Sequence, residues 1–218
     1  MKKTIVIYGA ENESAKETAM YFSGENVYAL FPSGKPEALE GVTTAAIDPL
    51  SDEAMVLLAR QLEEKHGGVD LLVLCASLHG ENDGSIGNHD MGQLAQTLDR
   101  NVNGCWRMTE TLLPLLRKGE WKRIGVITPE EGSIRQCRST KDYGWLMSCA
   151  SINMMQKLNF NRLHSEGFMF RNYMEGTKGI TPGEYMAMNF CFDPNDAYIH
   201  SDENRLVLRD GQLREYAW

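Results

Sequence analysis

The chain has 218 residues, 42% of them hydrophobic, and a formal net charge of −8. That length and apolar content fit one large α/β domain over residues 1–218 better than two small ones. The acidic balance argues against nucleic acid as a partner, because affinity for phosphate backbones comes largely from Lys and Arg, and no run approaches the roughly 18 apolar residues needed to cross a bilayer.

In chain order, Met1-Lys2-Lys3 precedes an apolar run from Thr4 to Tyr8 that is too short for a signal peptide before polar residues intervene. It reads as a first strand. Val27 to Phe31, Val42 to Ile47, Leu71 to Cys75 and Ile124 to Thr128 have the composition of buried strands. Between them, Ser14 to Phe22, Asp52 to His66, Met91 to Leu116 and Tyr143 to His164 carry helix-compatible periodicity, with Leu57, Leu58 and Leu62 as one expected core stripe. The alternation predicts a Rossmann-type doubly wound parallel sheet in three α/β/α layers.

A further strand is expected at Phe168 to Asn172. Thr181-Pro182-Gly183-Glu184 then has the form of a capping box with Pro in the first helical position, so a helix should begin at Pro182. Arg205 to Leu213 offers a strand and an Asp210-Gly211 turn, with Leu213 to Trp218 as a tail or short return strand. The five cysteines (Cys75, Cys105, Cys137, Cys149 and Cys191) form no CxxC pair, and the five histidines, His200 among them, show no ligand spacing. Neither a disulfide framework nor a metal site is expected, and a reducing cytoplasm is the natural compartment.

The landmarks then follow a known order. Tyr8-Gly9-Ala10-Glu11-Asn12-Glu13-Ser14-Ala15 lies between the first strand and helix, Asp48 follows the third strand, and Leu74-Cys75-Ala76-Ser77 ends the fourth. Asn101-Val102-Asn103-Gly104 comes next, and Tyr143 opens a long helix after the fifth strand. Over about three quarters of the chain this resembles the short-chain dehydrogenase/reductase family, with its TGxxxGxG loop, NNAG segment, active-site Asn and YxxxK motif. The resemblance implies NAD or NADP as cofactor, held around Gly9, Ser14, Asp48 and Ala76. It implies a catalytic group made of Tyr143, Asn101 and Thr128. It also implies a homodimer or homotetramer, or assembly with a paralogue, through the helices Met91 to Leu116 and Tyr143 to His164.

The departures are specific. Glycines in such a loop let backbone N–H groups approach a pyrophosphate at a helix N-terminus, yet only Gly9 remains. Glu13 and Ala15 stand for the other two, with Glu11 and Glu17 nearby. These acids fit either a helix that they cap and solvate or a reworked phosphate site. After the second strand, Ala29-Leu30-Phe31-Pro32-Ser33 lacks the acid that holds an NAD ribose, and Lys35 is the nearby candidate for a 2′-phosphate. Met147 replaces the family's Lys, and Pro129 and Glu130 stand near its Ser, for which Thr128 or Ser133 could substitute.

Asn101 reads equally as an active-site residue and as an Asn that satisfies local backbone groups. Arg135, Arg138 and Lys141, just before Tyr143, fit an acidic ligand or a solvated loop. Three functions are consistent with these residues. One is a family member that has lost catalysis and serves as a ligand-binding or oligomeric subunit for an unidentified small molecule. Another is an active NAD(P)H-dependent oxidoreductase on a carbonyl or alcohol, with a site rebuilt around Tyr143 and Asn101. The third is a non-redox enzyme, such as a lyase, on the same scaffold.

Overall fold

The computed structural model describes residues 1–79, 85–188 and 205–218. Cys191 and His200 lie outside them. Eight strands form one sheet: β1 (Thr4–Tyr8), β2 (Asn26–Phe31), β3 (Thr43–Ala46), β4 (Leu71–Cys75), β5 (Arg123–Pro129), β6 (Met169–Glu175), β7 (Leu208–Asp210) and β8 (Glu215–Tyr216). Their order is β3-β2-β1-β4-β5-β6-β7-β8, parallel except for the β7/β8 pair. The chain runs outward from β1 in one direction to β3 and then restarts beside β1 at β4. That reversal opens a crevice at the carboxyl ends of β1 and β4, which is where ligands sit in doubly wound sheets.

The helices are α1 (Glu13–Tyr21), α2 (Asp52–His66), α3 (Met91–Leu98), α4 (Gly104–Lys118), α5 (Tyr143–Leu163) and α6 (Pro182–Ala187). Side-chain alternation along β1 divides the core: Val6 and Tyr8 join Leu58, Leu112 and Ile152 on the α2, α4 and α5 side, while Ile5 and Ile7 join Ala19, Tyr185 and Met186 on the α1 and α6 side. Every residue of β1 and β4 is buried, as expected of central strands covered on both faces. The architecture is the three-layer doubly wound sheet expected from the sequence.

Local expectations hold at α6, where the Thr181 and Glu184 capping box is formed with Pro182 in the first turn, and at the C-terminal hairpin, where β8 returns against β7. Two details differ. Leu57 is 53% exposed, and the buried stripe of α2 is Met55, Leu58 and Leu62. Three- and four-residue steps keep those side chains on one face, whereas Leu57 lies about 100° away from Leu58. The expected helix Met91 to Leu116 is also interrupted by a π-helical turn at Asp99–Asn103 that separates α3 from α4. Among the described residues no helix is long and apolar enough to cross a membrane.

Candidate functional site

The crevice at the carboxyl ends of β1 and β4 begins with Gly9. Its φ is +89°, and a Cβ there would stand 2.1 Å from the Cys75 carbonyl oxygen, so the loop can pass over β4 at that point with glycine alone. The N–H groups of Gly9 and Ala10 both donate to the Leu30 carbonyl, at 3.1 and 3.0 Å. Asn12 caps α1: its side-chain oxygen accepts the N–H groups of Ser14 at 2.8 Å and Ala15 at 3.3 Å. Two of the helix amides that would otherwise face an anion are thereby satisfied within the chain.

Two carboxylates complete this end of the crevice. Glu11 turns away from α1, and its Oε1 accepts the Ser33 N–H at 2.7 Å, the Ser33 hydroxyl at 3.1 Å and the Gly34 N–H at 2.8 Å. It thus ties the loop after β1 to the loop after β2. Glu175, the last residue of β6, is set beside Asn12 and Ser14. Burial raises its carboxyl above the ordinary range, and the neighbouring Asn12 and Ser14 groups offset this only in part. Glu11 Oε2 and Glu175 Oε1 are both sealed from solvent without a hydrogen-bond partner. Glu13, by contrast, is exposed and paired with Lys16 at 2.9 Å.

The side of the crevice nearest β2 is closed by further contacts. Tyr8 donates its hydroxyl to the Arg100 carbonyl at 2.8 Å, and the Arg100 guanidinium donates to the Pro32 carbonyl at 2.6 Å. Burial holds the Tyr8 phenol well above its ordinary pKa. A Cβ on Gly104 would meet the Tyr8 hydroxyl at 2.1 Å, so α4 begins in contact with that ring. Asp48 is exposed after β3 and accepts the Leu50 N–H at 3.0 Å, and Ala76 is buried beyond the end of β4. Gly9, Ser14 and Ala76 therefore lie at these strand ends, with the carboxyl groups of Glu11 and Glu175 beside them.

Asn101 sits in the π-helical turn, 1% exposed. Its oxygen accepts the N–H groups of Ser77 at 3.2 Å and Leu78 at 3.0 Å, and its amide donates to the Leu78 carbonyl and the Ser148 hydroxyl, both at 2.9 Å. An Asn side chain has two acceptor and two donor positions, and all four are used. Thr128 is buried and exchanges contacts of 3.2 and 3.4 Å with Asn153, which also receives a hydrogen bond from Asn172 at 3.1 Å.

Tyr143 lies elsewhere. At about 100° per residue, it points about 140° away around α5 from Ser148, the helix residue that Asn101 contacts. Tyr143 and the half-exposed Met147 instead line a groove on the outer side of α5, together with Leu146 and Ala150. The inner face carries Trp145, Ser148, Cys149 and Ile152. Trp145 packs on the core and lies 5.2 Å from the His79 ring, and burial pushes the Cys149 thiol up. The structure thus joins Asn101 to Ser148 and Thr128 to Asn153.

Sequence reasoning missed Glu175 and Trp145. Trp145, Ser148, Ile152 and Met155 recur at helical spacing, but Tyr143, Met147, Ala150 and Met154 do so as well, so the pattern by itself does not single out the inward face of α5. No comparable signal connects Glu175 to α1, since 161 positions of chain separate it from Ser14.

Residues 4–140 match the family described as short chain dehydrogenase. C-signal of Myxococcus xanthus is 32% identical over 103 residues, covering 47% of this chain and 61% of C-signal, so less than two thirds of that relative is spanned. A 1-hydroxy-2-glutathionyl-2-methyl-3-butene dehydrogenase of Rhodococcus sp. (strain AD45) is 29% identical over 163 residues, covering 72% of this chain and 70% of that protein. Among solved structures, the NADH-dependent reductase A1-R′ complexed with NAD aligns with a TM-score of 0.73 over 96% of this chain and 94% of that one, at 16% identity. That last likeness concerns the fold.

Proposed function

This chain belongs to the short-chain dehydrogenase family, and on that premise we propose that it has left hydride transfer and serves as a non-catalytic, ligand-binding or oligomeric member. The observation that carries this reading is the pair of carboxylates, Glu11 and Glu175, at the end of the crevice where a dinucleotide pyrophosphate would lie. The residues present do not fit that group. A carboxylate about 4 Å from a phosphate opposes it by about 4 kcal/mol at an effective dielectric of 20, and Asn12 already satisfies two amides of α1.

The side chains of α5 support the same reading. If Tyr143 and Met147 are matched to the family's Tyr and Lys, they face the outer groove, and a thioether supplies neither the charge nor the hydrogen-bond donor of a Lys. If the match is made instead on the inner face, four residues apart, Trp145 and Cys149 take those places. Indole has no proton to exchange at neutral pH, and the buried thiol stays neutral. The reading of a site rebuilt around Tyr143 and Asn101 is disfavoured because the hydrogen-bonding capacity of Asn101 is already used in full.

An oligomer is part of the proposal. Trp106 on α4 and Met154 and Leu158 on α5 are large apolar side chains left about half-exposed, which suits a homodimer or homotetramer in the cytoplasm. Sedimentation velocity tests that part.

Calorimetric titration with NAD, NADH, NADP and NADPH tests the central claim. The unaltered protein should show no saturable binding below about 1 mM, about −4 kcal/mol, and the double variant Glu11→Gln/Glu175→Gln should gain measurable binding. Micromolar binding by the unaltered protein, with turnover of a carbonyl substrate, refutes the proposal.

A further inference from the structure

α5 carries two apolar stripes. Trp145, Cys149, Ile152 and Met155 turn toward the sheet, while Tyr143, Met147, Ala150 and Met154 turn away from it, and both sets recur at three- and four-residue steps. Burial of apolar surface is non-directional, so it does not by itself choose which stripe faces the core. The polar residues of the helix do distinguish them. Ser148, Asn153 and Gln156 are all buried, and at about 100° per residue they lie within about 140° of arc on the inner side.

These three residues tie α5 to its surroundings over more than two turns. Ser148 accepts the Asn101 amide at 2.9 Å. Asn153 donates to the Thr128 hydroxyl of β5 at 3.2 Å and to the Gly132 carbonyl at 3.4 Å, and accepts the Asn172 amide of β6 at 3.1 Å. Gln156 donates to the Ile124 carbonyl of β5 at 2.8 Å. The network is nevertheless incomplete: Gln156 Oε1 and Asn172 Oδ1 are sealed from solvent without a partner, and a buried acceptor in that state opposes folding. Apolar residues of similar volume would avoid that cost. They would not distinguish the two faces. Turning Tyr143 and Met147 inward sets apolar side chains against Asn101, Thr128 and Asn172, all buried, and strands their polar groups.

We propose that Ser148, Asn153 and Gln156 form a phase lock that selects the inward face of α5 and so holds Tyr143 and Met147 away from the crevice. They are positioning residues, acting through the rotation of the helix about its axis. A single buried polar side chain fixes register in coiled coils at some cost in stability, and the same physics operates here between one helix and the sheet. The lock concerns the orientation of α5 alone and is independent of whether a dinucleotide binds.

The test replaces both sides of the network with apolar residues, Thr128→Val/Asn153→Leu/Gln156→Met/Asn172→Val, and follows alkylation of individual cysteines by iodoacetamide under native conditions, resolved by mass spectrometry. Cys149 is buried on the inner face of α5 and Cys75 is buried on β4, so Cys75 reports general loosening. The fourfold variant should keep or raise the urea midpoint, with Cys149 reacting at least tenfold faster and Cys75 unchanged. Asn153→Leu/Asn172→Val, which removes the central tie alone, should accelerate Cys149 at least threefold, again without Cys75. Unchanged protection of Cys149 in both variants overturns the proposal, because apolar packing then sets the rotation by itself. Equal acceleration at Cys75 and Cys149 with a lower midpoint also overturns it, by giving the network a purely stabilising role. Failure of the fourfold variant to fold does the same, since apolar residues could then not replace the network.

Discussion

Replacing Asn101 by alanine removes four hydrogen bonds at once, those from the Ser77 and Leu78 N–H groups and those to the Leu78 carbonyl and Ser148 hydroxyl. A buried hydrogen bond contributes about 0.5–1.5 kcal/mol net, and an orphaned donor costs about 1–3 kcal/mol. Four such bonds amount to about 4 kcal/mol. The Ser77 and Leu78 amides are only partly buried, so water can replace some of what they lose, and the expected destabilisation is about 2–4 kcal/mol. Urea unfolding, extrapolated linearly for both proteins, reads this directly, with the midpoint falling and the slope unchanged. In a chain of this size the same loss lowers Tm by about 2–4 °C per kcal/mol. A difference below about 0.5 kcal/mol would refute the clamp and free Asn101 for exchange with water or a ligand.

Glu175→Gln should stabilise the protein at pH 8 but not near pH 4. The Glu175 carboxyl is raised by burial, so its contribution is fully present below the ordinary carboxylate pKa and is lost as pH rises through the raised value. Glutamine removes that loss, and thermal unfolding at the two pH values checks it; an equal shift at both, or a lower Tm at pH 8, contradicts the placement of this side chain. On α2, Leu62→Ala should cost about 2–5 kcal/mol and Leu57→Ala no more than about 0.5 kcal/mol, measured by chemical denaturation. Comparable losses at the two positions would mean that α2 is rotated from the orientation described.

What could be read in advance was what depends on neighbours in sequence. β1, β4 and α2 have the expected bounds because apolar runs, strand-forming residues and caps act over a few positions. The Thr181 to Glu184 capping box is local as well, and so is the hairpin that returns β8 to β7. Gly9 and the loss of the two loop glycines were visible for the same reason. The helical phase of α5 was less legible. Its outer and inner faces are both apolar, so periodicity by itself did not assign Tyr143 and Met147 to one side and Trp145 and Cys149 to the other; packing against β5 and the Asn101 turn did. Glu11 was legible as an acid near the crevice, but not as the acceptor of the Ser33 and Gly34 amides.

Glu175 is the clearest case of a role conferred by tertiary structure alone. It ends a strand that lies three places from β1 in the sheet, and only the parallel order β1-β4-β5-β6 brings the carboxyl ends of these strands to the same edge as the N-terminus of α1. The sequence determined the elements, the order in which they occur and the weakening of the phosphate loop. The tertiary structure decided what stands beside that loop, because a carboxyl group 161 positions away can reach the N-terminus of α1 only after the sheet has assembled.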